Sequence, residues 1–151
     1  MADDPLELAL RALGRRERSV AELSSWLTER GVAPDDVEAT VAHLEEVGQL
    51  DDAGFARRYA QDKRELAGWG AERIREALLA REVARSTVEA VLATDSHADQ
   101  LERARQALVQ RGRPLGDNAD RQRALDYLAR RGYDYEIAYE AVRQASSARA
   151  A

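Results

Sequence analysis

Arginine supplies almost all of the basic side chains of this sequence: 22 of the 23 basic residues are arginine, and Lys63 is the exception. The guanidinium group is planar, permanently charged and rich in N–H donors, so it suits carboxylate and phosphate oxygens better than an ammonium group does. A genome rich in G and C also favours arginine codons, and that explanation is compatible with a role of these residues in binding.

Two runs of basic residues lie in the middle and C-terminal parts of the chain, between residues 57 and 75 and between residues 121 and 131. Such runs either form a solvated surface or contact an acidic protein surface or nucleic-acid phosphates. Trp69, between two glycines, either packs over a junction between helices or forms an exposed anchor for a partner. The candidate partner-binding residues are Arg57, Arg58, Lys63, Arg64, Trp69, Arg73, Arg75, Arg121, Arg123, Arg130 and Arg131.

The sequence lacks the side chains that most enzymes and metal sites use. It has no cysteine, and its two histidines, His43 and His97, are far apart, which excludes thiolate chemistry and a multi-histidine metal site. Asp51 and Asp52 are adjacent carboxylates, but no third ligand accompanies them, so we expect them to cap a helix. No glycine-rich phosphate loop or serine nucleophile motif is present. We predict a protein that is not an enzyme and that has no metal or cofactor.

The formal net charge of the 151-residue chain is −5. Residues 1–50 carry 11 acidic and 5 basic side chains, residues 51–95 carry 9 and 8, and residues 96–151 carry 8 and 10. This balance disfavours bulk attraction to DNA and directs an anionic partner to the middle and C-terminal parts. No apolar stretch is long enough to cross a membrane, and no signal peptide is visible, so we expect a cytoplasmic protein without membrane contact.

Apolar residues recur at three- and four-residue spacing along the whole chain, which predicts an all-α fold. Ser19 with Glu22 and Ser86 with Glu89 match the capping-box pattern, and Asp35 is placed to cap the helix that follows it. Glycines stand at the expected helix ends. These signals predict helices at 5–16, 19–30, 35–47, 52–67, 71–81, 86–94, 97–111, 118–131 and 134–147.

A pattern of apolar residues followed by arginine recurs at a period near 50 residues. Leu23, Trp26, Leu27 and Arg30 are matched by Ile74, Ala77, Leu78 and Arg81, and again by Ala124, Tyr127, Leu128 and Arg131. Such a period predicts an elongated array of three tandem three-helix repeats, at 1–50, 51–95 and 96–151. We expect the recurring arginines to cap helix carbonyls. We expect the loop 113–118 to be a flexible joint between the second and third repeats.

One stretch resembles the signature of the RecX family of regulatory proteins. Residues 44–59 read Leu-Glu-Glu-Val-Gly-Gln-Leu-Asp-Asp-Ala-Gly-Phe-Ala-Arg-Arg-Tyr, and the family's pattern has a leucine, a glycine, an apolar residue, Asp-Asp and Phe-Ala at these places. The Gly-Trp-Gly at 68–70 and the run at 128–133 are also similar to the family. The resemblance covers nearly the whole chain, and Glu82 departs from it, because many members have glycine there.

The resemblance implies an all-helical, curved array of three-helix units. It also implies binding to the RecA recombinase along the groove of its filament on single-stranded DNA. Members of the family restrain filament extension and so reduce strand exchange, ATP hydrolysis and induced co-protease activity, which modulates recombinational DNA repair and the SOS response. The expected partners are RecA and the RecA–single-stranded DNA filament, with at most weak direct contact to DNA, and we expect a monomer.

A helix-turn-helix protein that acts directly on DNA is the alternative, because residues 19–44 resemble the helical part of a winged domain. A recognition helix near 35–47 would carry five acidic residues and no arginine. That charge is of the wrong sign for contact with phosphates. The sequence therefore favours the regulator over the direct DNA binder.

Overall fold

The computed structural model describes residues 3–150, and within that range the chain forms nine α-helices and no strand. They are α1 (Pro5–Arg15), α2 (Val20–Glu29), α3 (Pro34–Glu46), α4 (Asp52–Ala67), α5 (Ala71–Ala80), α6 (Arg85–Leu92), α7 (His97–Arg111), α8 (Asn118–Arg130) and α9 (Tyr135–Ala150). Each helix begins and ends within three residues of its predicted bounds. The prediction of an all-α chain is confirmed for this range.

Local capping explains why several of these helices begin where they do. The hydroxyl of Ser19 accepts a hydrogen bond from the Glu22 N–H at 3.1 Å, and the Glu22 carboxylate accepts one from the Ser19 N–H at 2.9 Å. This is the predicted capping box at the start of α2. A second box, which the sequence did not predict, joins Asp117 and Asp120 at the start of α8.

Two predicted caps are wrong. α6 begins at Arg85, one residue before Ser86, without a side-chain cap, and the Glu89 carboxylate accepts hydrogen bonds from Arg75 instead. Asp35 lies in the first turn of α3 and does not cap it. Its charge still faces the positive end of the helix dipole, which is a favourable place for a carboxylate.

Each helix packs most extensively on the two neighbours that form its own group: unit 1 (α1–α3), unit 2 (α4–α6) and unit 3 (α7–α9). Each unit has its own apolar core, and the three cores share no residue. Several helix faces that the periodicity predicts are buried, and Leu23, Ile74 and Leu128 are fully enclosed. The prediction is wrong for Leu10 and Leu66, which are 44% and 84% exposed. Phe55 is 4% exposed and lies in the core of unit 2.

The loop at 113–118 joins α7 to α8 inside unit 3. Leu115 in the middle of this loop is buried in the core of unit 3. The prediction that this loop is a flexible joint between the second and third repeats is therefore wrong, because the boundary between these groups of helices falls before α7. None of the helices in residues 3–150 is both long and apolar enough to cross a membrane.

Candidate functional site

Units 1 and 2 meet where the first turn of α2 contacts the end of α5. The Ser19 hydroxyl donates a hydrogen bond to the Arg81 carbonyl at 2.8 Å. The Arg81 guanidinium donates to both carboxylate oxygens of Glu22, at 2.8 and 3.0 Å, and to the carbonyl of Glu17 at 3.0 Å. One arginine thus joins the end of a helix in unit 2 to the capping box of a helix in unit 1.

The adjacent carboxylates at 51 and 52 cap two different helices. Asp51 accepts a hydrogen bond from the Gly54 N–H at 3.1 Å and caps α4, as predicted. Asp52 accepts one from the Val20 N–H of α2 at 2.9 Å, so it connects unit 2 to unit 1. Burial raises the pKa of Asp52 above its ordinary value. The prediction that both aspartates serve α4 is wrong for Asp52.

Units 2 and 3 meet at an equivalent place, where the start of α5 contacts the turn after α8. The Gly70 N–H donates to the Arg131 carbonyl at 2.8 Å, and the Glu72 N–H donates to the Gly132 carbonyl at 2.9 Å. A Cβ atom at Gly70 would lie closer than 3.0 Å to the backbone of Gly132. The Tyr133 hydroxyl completes the contact by donating to the Gly68 carbonyl at 2.7 Å.

The sequence period is therefore also the period of the contacts between units. Ser19 and Gly70 are the N-caps of α2 and α5, and Arg81 and Arg131 are the C-caps of α5 and α8. In both junctions an N-cap of one unit meets a C-cap of the next. The recurring arginines are predicted to cap helix carbonyls. Arg131 of unit 3 does so on a helix of unit 2, because it donates to the carbonyl of Ala67, the last residue of α4.

A cluster of cations and aromatic rings surrounds Trp69 beside the second junction. The Lys63 Nζ lies 4.6 Å from the Trp69 ring centroid, and the Arg73 guanidinium carbon lies 4.1 Å from it. Tyr59 meets the indole edge-on with 6.5 Å between ring centroids. Trp69 is partly buried on unit 2. We name these four residues the Trp69 cluster; it combines an aromatic surface with two positive charges.

Arg64 lies on the other side of the turn at Gly68, against a carboxylate that the sequence did not single out. Asp95 is buried and accepts two hydrogen bonds from Arg103, at 3.1 and 2.8 Å, while the Arg64 Nε lies 3.4 Å from the same carboxylate. Arg103 also donates to the Trp69 carbonyl at 2.9 Å. Burial lowers the pKa of Arg64 below its ordinary value.

Of three other predicted contact residues of unit 2, two form ion pairs with carboxylates and one does not. Arg58 pairs with Glu17 of unit 1. Arg75 pairs with Glu72 at 2.6 Å and with Glu89 at 2.7 Å. Arg57 is exposed, and its side chain makes no ion pair with any residue in 3–150. Among these three, Arg57 is the one whose charge is not matched by a carboxylate within residues 3–150.

The predicted arginines of unit 3 occupy two separate places. Arg121 donates to the Gly116 carbonyl at 3.2 Å, and Arg123 pairs with Asp120 at 2.6 Å, both at the start of α8. Arg130 and Arg131 lie at the other end of that helix, about 15 Å further along its axis. Arg130 is exposed, whereas Arg131 is partly buried in the second junction. Of these four arginines, Arg131 is the one that contacts a residue of unit 2 within the described part of the chain.

These side chains provide hydrogen-bond donors, positive charge and aromatic surface. Within residues 3–150, no three histidine, aspartate or glutamate side chains form a group that could hold a metal ion. Arg103 and Asp95 are not predicted from the sequence, because neither lies in a recognisable motif and the contact of Arg103 with Trp69 joins residues 34 apart. The arrangement at the second junction is suited to contacting a surface that is negatively charged and presents groups to pack on Trp69.

Comparison with known proteins agrees with this architecture. Residues 6–44 match the family model described as the first three-helix domain of RecX, and residues 51–92 match the second. The matched ranges fall within units 1 and 2.

Curated relatives extend the match to most of the chain. The Regulatory protein RecX of Mycolicibacterium smegmatis is 35% identical over 143 residues, which cover 89% of this chain and 76% of the relative. Those of Chromohalobacter salexigens and Stenotrophomonas maltophilia are 38% and 37% identical, and the matches cover 86% and 85% of the relatives.

A solved structure has the same fold. The crystal structure of RecX from Lactobacillus salivarius superposes with a TM-score of 0.83 over 93% of both chains, at 17% sequence identity.

Proposed function

The chain belongs to the RecX family of regulatory proteins, and on that premise we propose that it binds the RecA–single-stranded DNA filament and restrains filament extension. Strand exchange, ATP hydrolysis and co-protease activity fall as a consequence, so that the protein modulates recombinational repair and the SOS response. It acts as a cytoplasmic monomer. It catalyses no reaction and acts only by occupying its binding site on the filament.

The Trp69 cluster is the observation that carries the choice of contact surface. It holds two positive charges, on Lys63 and Arg73, at 4.6 and 4.1 Å from one partly buried indole ring. A tryptophan flanked by cations is a common anchor in protein interfaces and suits an acidic partner surface. Arg57 and Arg130 are exposed and add positive charge to the surfaces of units 2 and 3.

The arrangement of the units supports a partner that repeats. We propose that units 1, 2 and 3 correspond to tandem repeats at 1–50, 51–95 and 96–151, joined as an elongated, curved array. The two junctions use equivalent N-caps and C-caps, which is the geometry of a stack that advances by one constant step. An array of this kind presents a long surface that could span neighbouring subunits of a filament.

The test is to replace both cations of the Trp69 cluster, in the variant Lys63→Glu with Arg73→Glu. Inhibition of filament ATP hydrolysis should need at least about tenfold more of this variant than of the unaltered protein, because two attractive contacts become repulsive. The matched control carries Arg11→Glu and Arg85→Glu, which make the same charge change at exposed positions away from the cluster. The assigned surface would be refuted if the Lys63→Glu, Arg73→Glu variant still inhibited the filament while the control variant did not.

Binding to naked DNA separates the regulator from the alternative. The regulator should bind preformed filaments at concentrations at which naked duplex is hardly bound at physiological salt. Equal affinity for naked duplex, without any effect on the filament, would favour a direct DNA-binding protein. The observed α3, the helix expected to enter the groove in that alternative, carries Asp35, Asp36 and Glu38 on its first two turns, which disfavours contact with phosphates.

A further inference from the structure

A cleft with a volume of about 320 Å³ lies at the junction of units 2 and 3. Its walls are the end of α4, one side of α7 and the C-cap of α8. The residues that line it and bear on its chemistry are Arg64, Glu65, Arg103, Gln106, Gln110 and Arg131. Three guanidinium groups from three different helices or their caps therefore converge on one small space.

The carboxylates of the chain do not match these three arginines. Asp95 is 8% exposed and is held by both N–H groups of the Arg103 fork, so it offers Arg64 only a longer contact at 3.4 Å. Glu65 at the rim accepts a hydrogen bond from Gln61 at 3.0 Å. Arg131 donates to a neutral carbonyl, that of Ala67. The cleft therefore holds more positive charge than its own carboxylates pair directly.

Several N–H donors in the wall of the cleft have no acceptor. Arg64 Nε, Arg64 Nη2 and Arg131 Nε are buried atoms without a hydrogen-bond partner among the described residues. Buried guanidinium donors that are left unpaired cost free energy, and most buried polar groups in proteins have a partner. These three nitrogens have almost no solvent-accessible area, so an anion in the cleft would balance the charge of the two guanidinium groups without reaching those atoms. Burial already lowers the pKa of Arg64, in the direction expected of an under-paired cation.

We propose that this cleft is a phosphate-binding site in which one phosphate group lies between Arg64 and Arg131. A phosphate is favoured over a carboxylate because its oxygens point in several directions and can accept from forks on opposite walls, whereas one fork satisfies a carboxylate. The phosphate is either a free ion or a phosphodiester of a nucleic-acid strand. Binding of a phosphodiester rests on the proposed function, because that function places the cleft against DNA in the filament. The phosphate site itself does not depend on the proposed function.

The experiment titrates the full-length protein with inorganic phosphate, with chloride at equal ionic strength as reference. Arginine side-chain N–H resonances report the site directly. Those of Arg64 and Arg131 should shift with phosphate and stay unmoved with chloride. Arg64→Gln should weaken phosphate binding by about tenfold, the effect of removing a charge-assisted hydrogen-bond pair. Arg85→Gln, which removes an exposed charge outside the cleft, should leave the affinity within about twofold.

Arg64→Lys is the control for loss of phosphate binding through unfolding. It keeps the positive charge but not the planar fork, so it should bind phosphate more weakly than the unaltered protein while melting at a similar temperature. The absence of phosphate-specific shifts at Arg64 and Arg131 in the unaltered protein would overturn the proposal. So would phosphate binding that Arg64→Gln leaves intact.

The source of the phosphate is decided by competition. A short single-stranded oligonucleotide that displaces inorganic phosphate, while its uncharged methylphosphonate analogue does not, supports a phosphodiester ligand. An oligonucleotide that fails to compete supports a site for free phosphate. Filament inhibition is measured in a separate assay. A protein that binds phosphate but does not inhibit the filament can therefore be told apart from one that inhibits the filament but does not bind phosphate.

Discussion

Gly70 and Gly132 allow two backbones to approach within hydrogen-bonding distance where units 2 and 3 meet. The Gly70 N–H donates to the Arg131 carbonyl at 2.8 Å, and any side chain at position 70 would point at the backbone of Gly132. Gly132 has a φ of 98°, which most other residues avoid, so that glycine is needed for its conformation as well as for the space. At the residue scale the junction therefore depends on the absence of side chains.

We predict that Gly70→Ala destabilises the protein by about 2 kcal/mol, because the added methyl group overlaps backbone that cannot move away cheaply. Thermal or urea unfolding measures the loss. Gly14→Ala is the matched control: nothing lies within 4 Å of a Cβ atom there, and the position is in the last turns of α1. That variant should gain up to about 1 kcal/mol. Equal stability of the two variants would contradict the close approach.

At the element scale, the start of α2 does two tasks at once. The Ser19 and Glu22 side chains cap the helix, and the same two side chains bind Arg81 of unit 2. Burial by itself would raise the pKa of Glu22, but the hydrogen bonds from Arg81 and from the Ser19 N–H outweigh it and lower that pKa below 4.5. A helix terminus has thus become part of the contact between units.

This pKa shift predicts a pH dependence of stability. Because the folded-state pKa of Glu22 is lowered, the stabilisation by its carboxylate is present above about pH 4.5 and is lost as the pH falls through the folded pKa. Glu22→Gln should cost about 1 kcal/mol at pH 7. The difference in unfolding free energy between the two proteins should shrink as the pH falls below about 4.5.

The control for this prediction is Glu38→Gln on α3, where the side chain is exposed and makes no ion pair within residues 3–150. Its stability should follow that of the unaltered protein across the same pH range. A gap between Glu22→Gln and the unaltered protein that stays constant from pH 7 to pH 3 would show that the Glu22 charge does not stabilise the junction.

α8 differs from α2 and α5 in where it begins relative to its first buried residue. α2 and α5 each begin three residues before their first fully buried apolar residue, Leu23 and Ile74, whereas α8 begins six residues before Ala124. Ser19 and Gly70 lie four residues before these buried residues, and in α8 that position is already inside the helix. α8 therefore does not present its N-cap as they do.

At the scale of the whole molecule, three separate cores are connected by contacts that are mostly polar. Within residues 3–150 no buried apolar residue belongs to more than one core, and the junctions use Arg81, Asp52 and Tyr133 as donors or acceptors. Hydrogen bonds at a few points hold orientation but bury little apolar surface. The units are therefore expected to be arranged in a line, without a common centre.

Small-angle scattering tests this arrangement. A compact protein of this length has a radius of gyration of about 15 Å. The proposed elongated array should give a clearly larger value, at least about 18 Å, together with a distance distribution that is skewed toward long distances. A monomer with a radius near 15 Å and a symmetric distribution would exclude the array.

The sequence by itself determined the helices, because the signals that define them act over short distances. Apolar spacing, prolines and the Ser19 capping box involve residues three or four positions apart, and they located every helix of the described range to within three residues at either end. The repeated pattern also singled out Arg30, Arg81 and Arg131, but it predicted carbonyl capping and not the contacts that Arg81 and Arg131 make with a preceding unit. Such local information needs no knowledge of which helix packs on which.

Only the tertiary structure decided which side chains face one another across the junctions. Arg81 and Glu22 are 59 residues apart, and Tyr133 and Gly68 are 65 apart. Arg64 and Arg131 belonged to two separate basic runs until the fold brought them to one cleft with Arg103. Ser86 and Asp52 were misassigned for the same reason: a polar side chain next to a helix start can cap that helix or bind a distant one, and the choice depends on what packs against it.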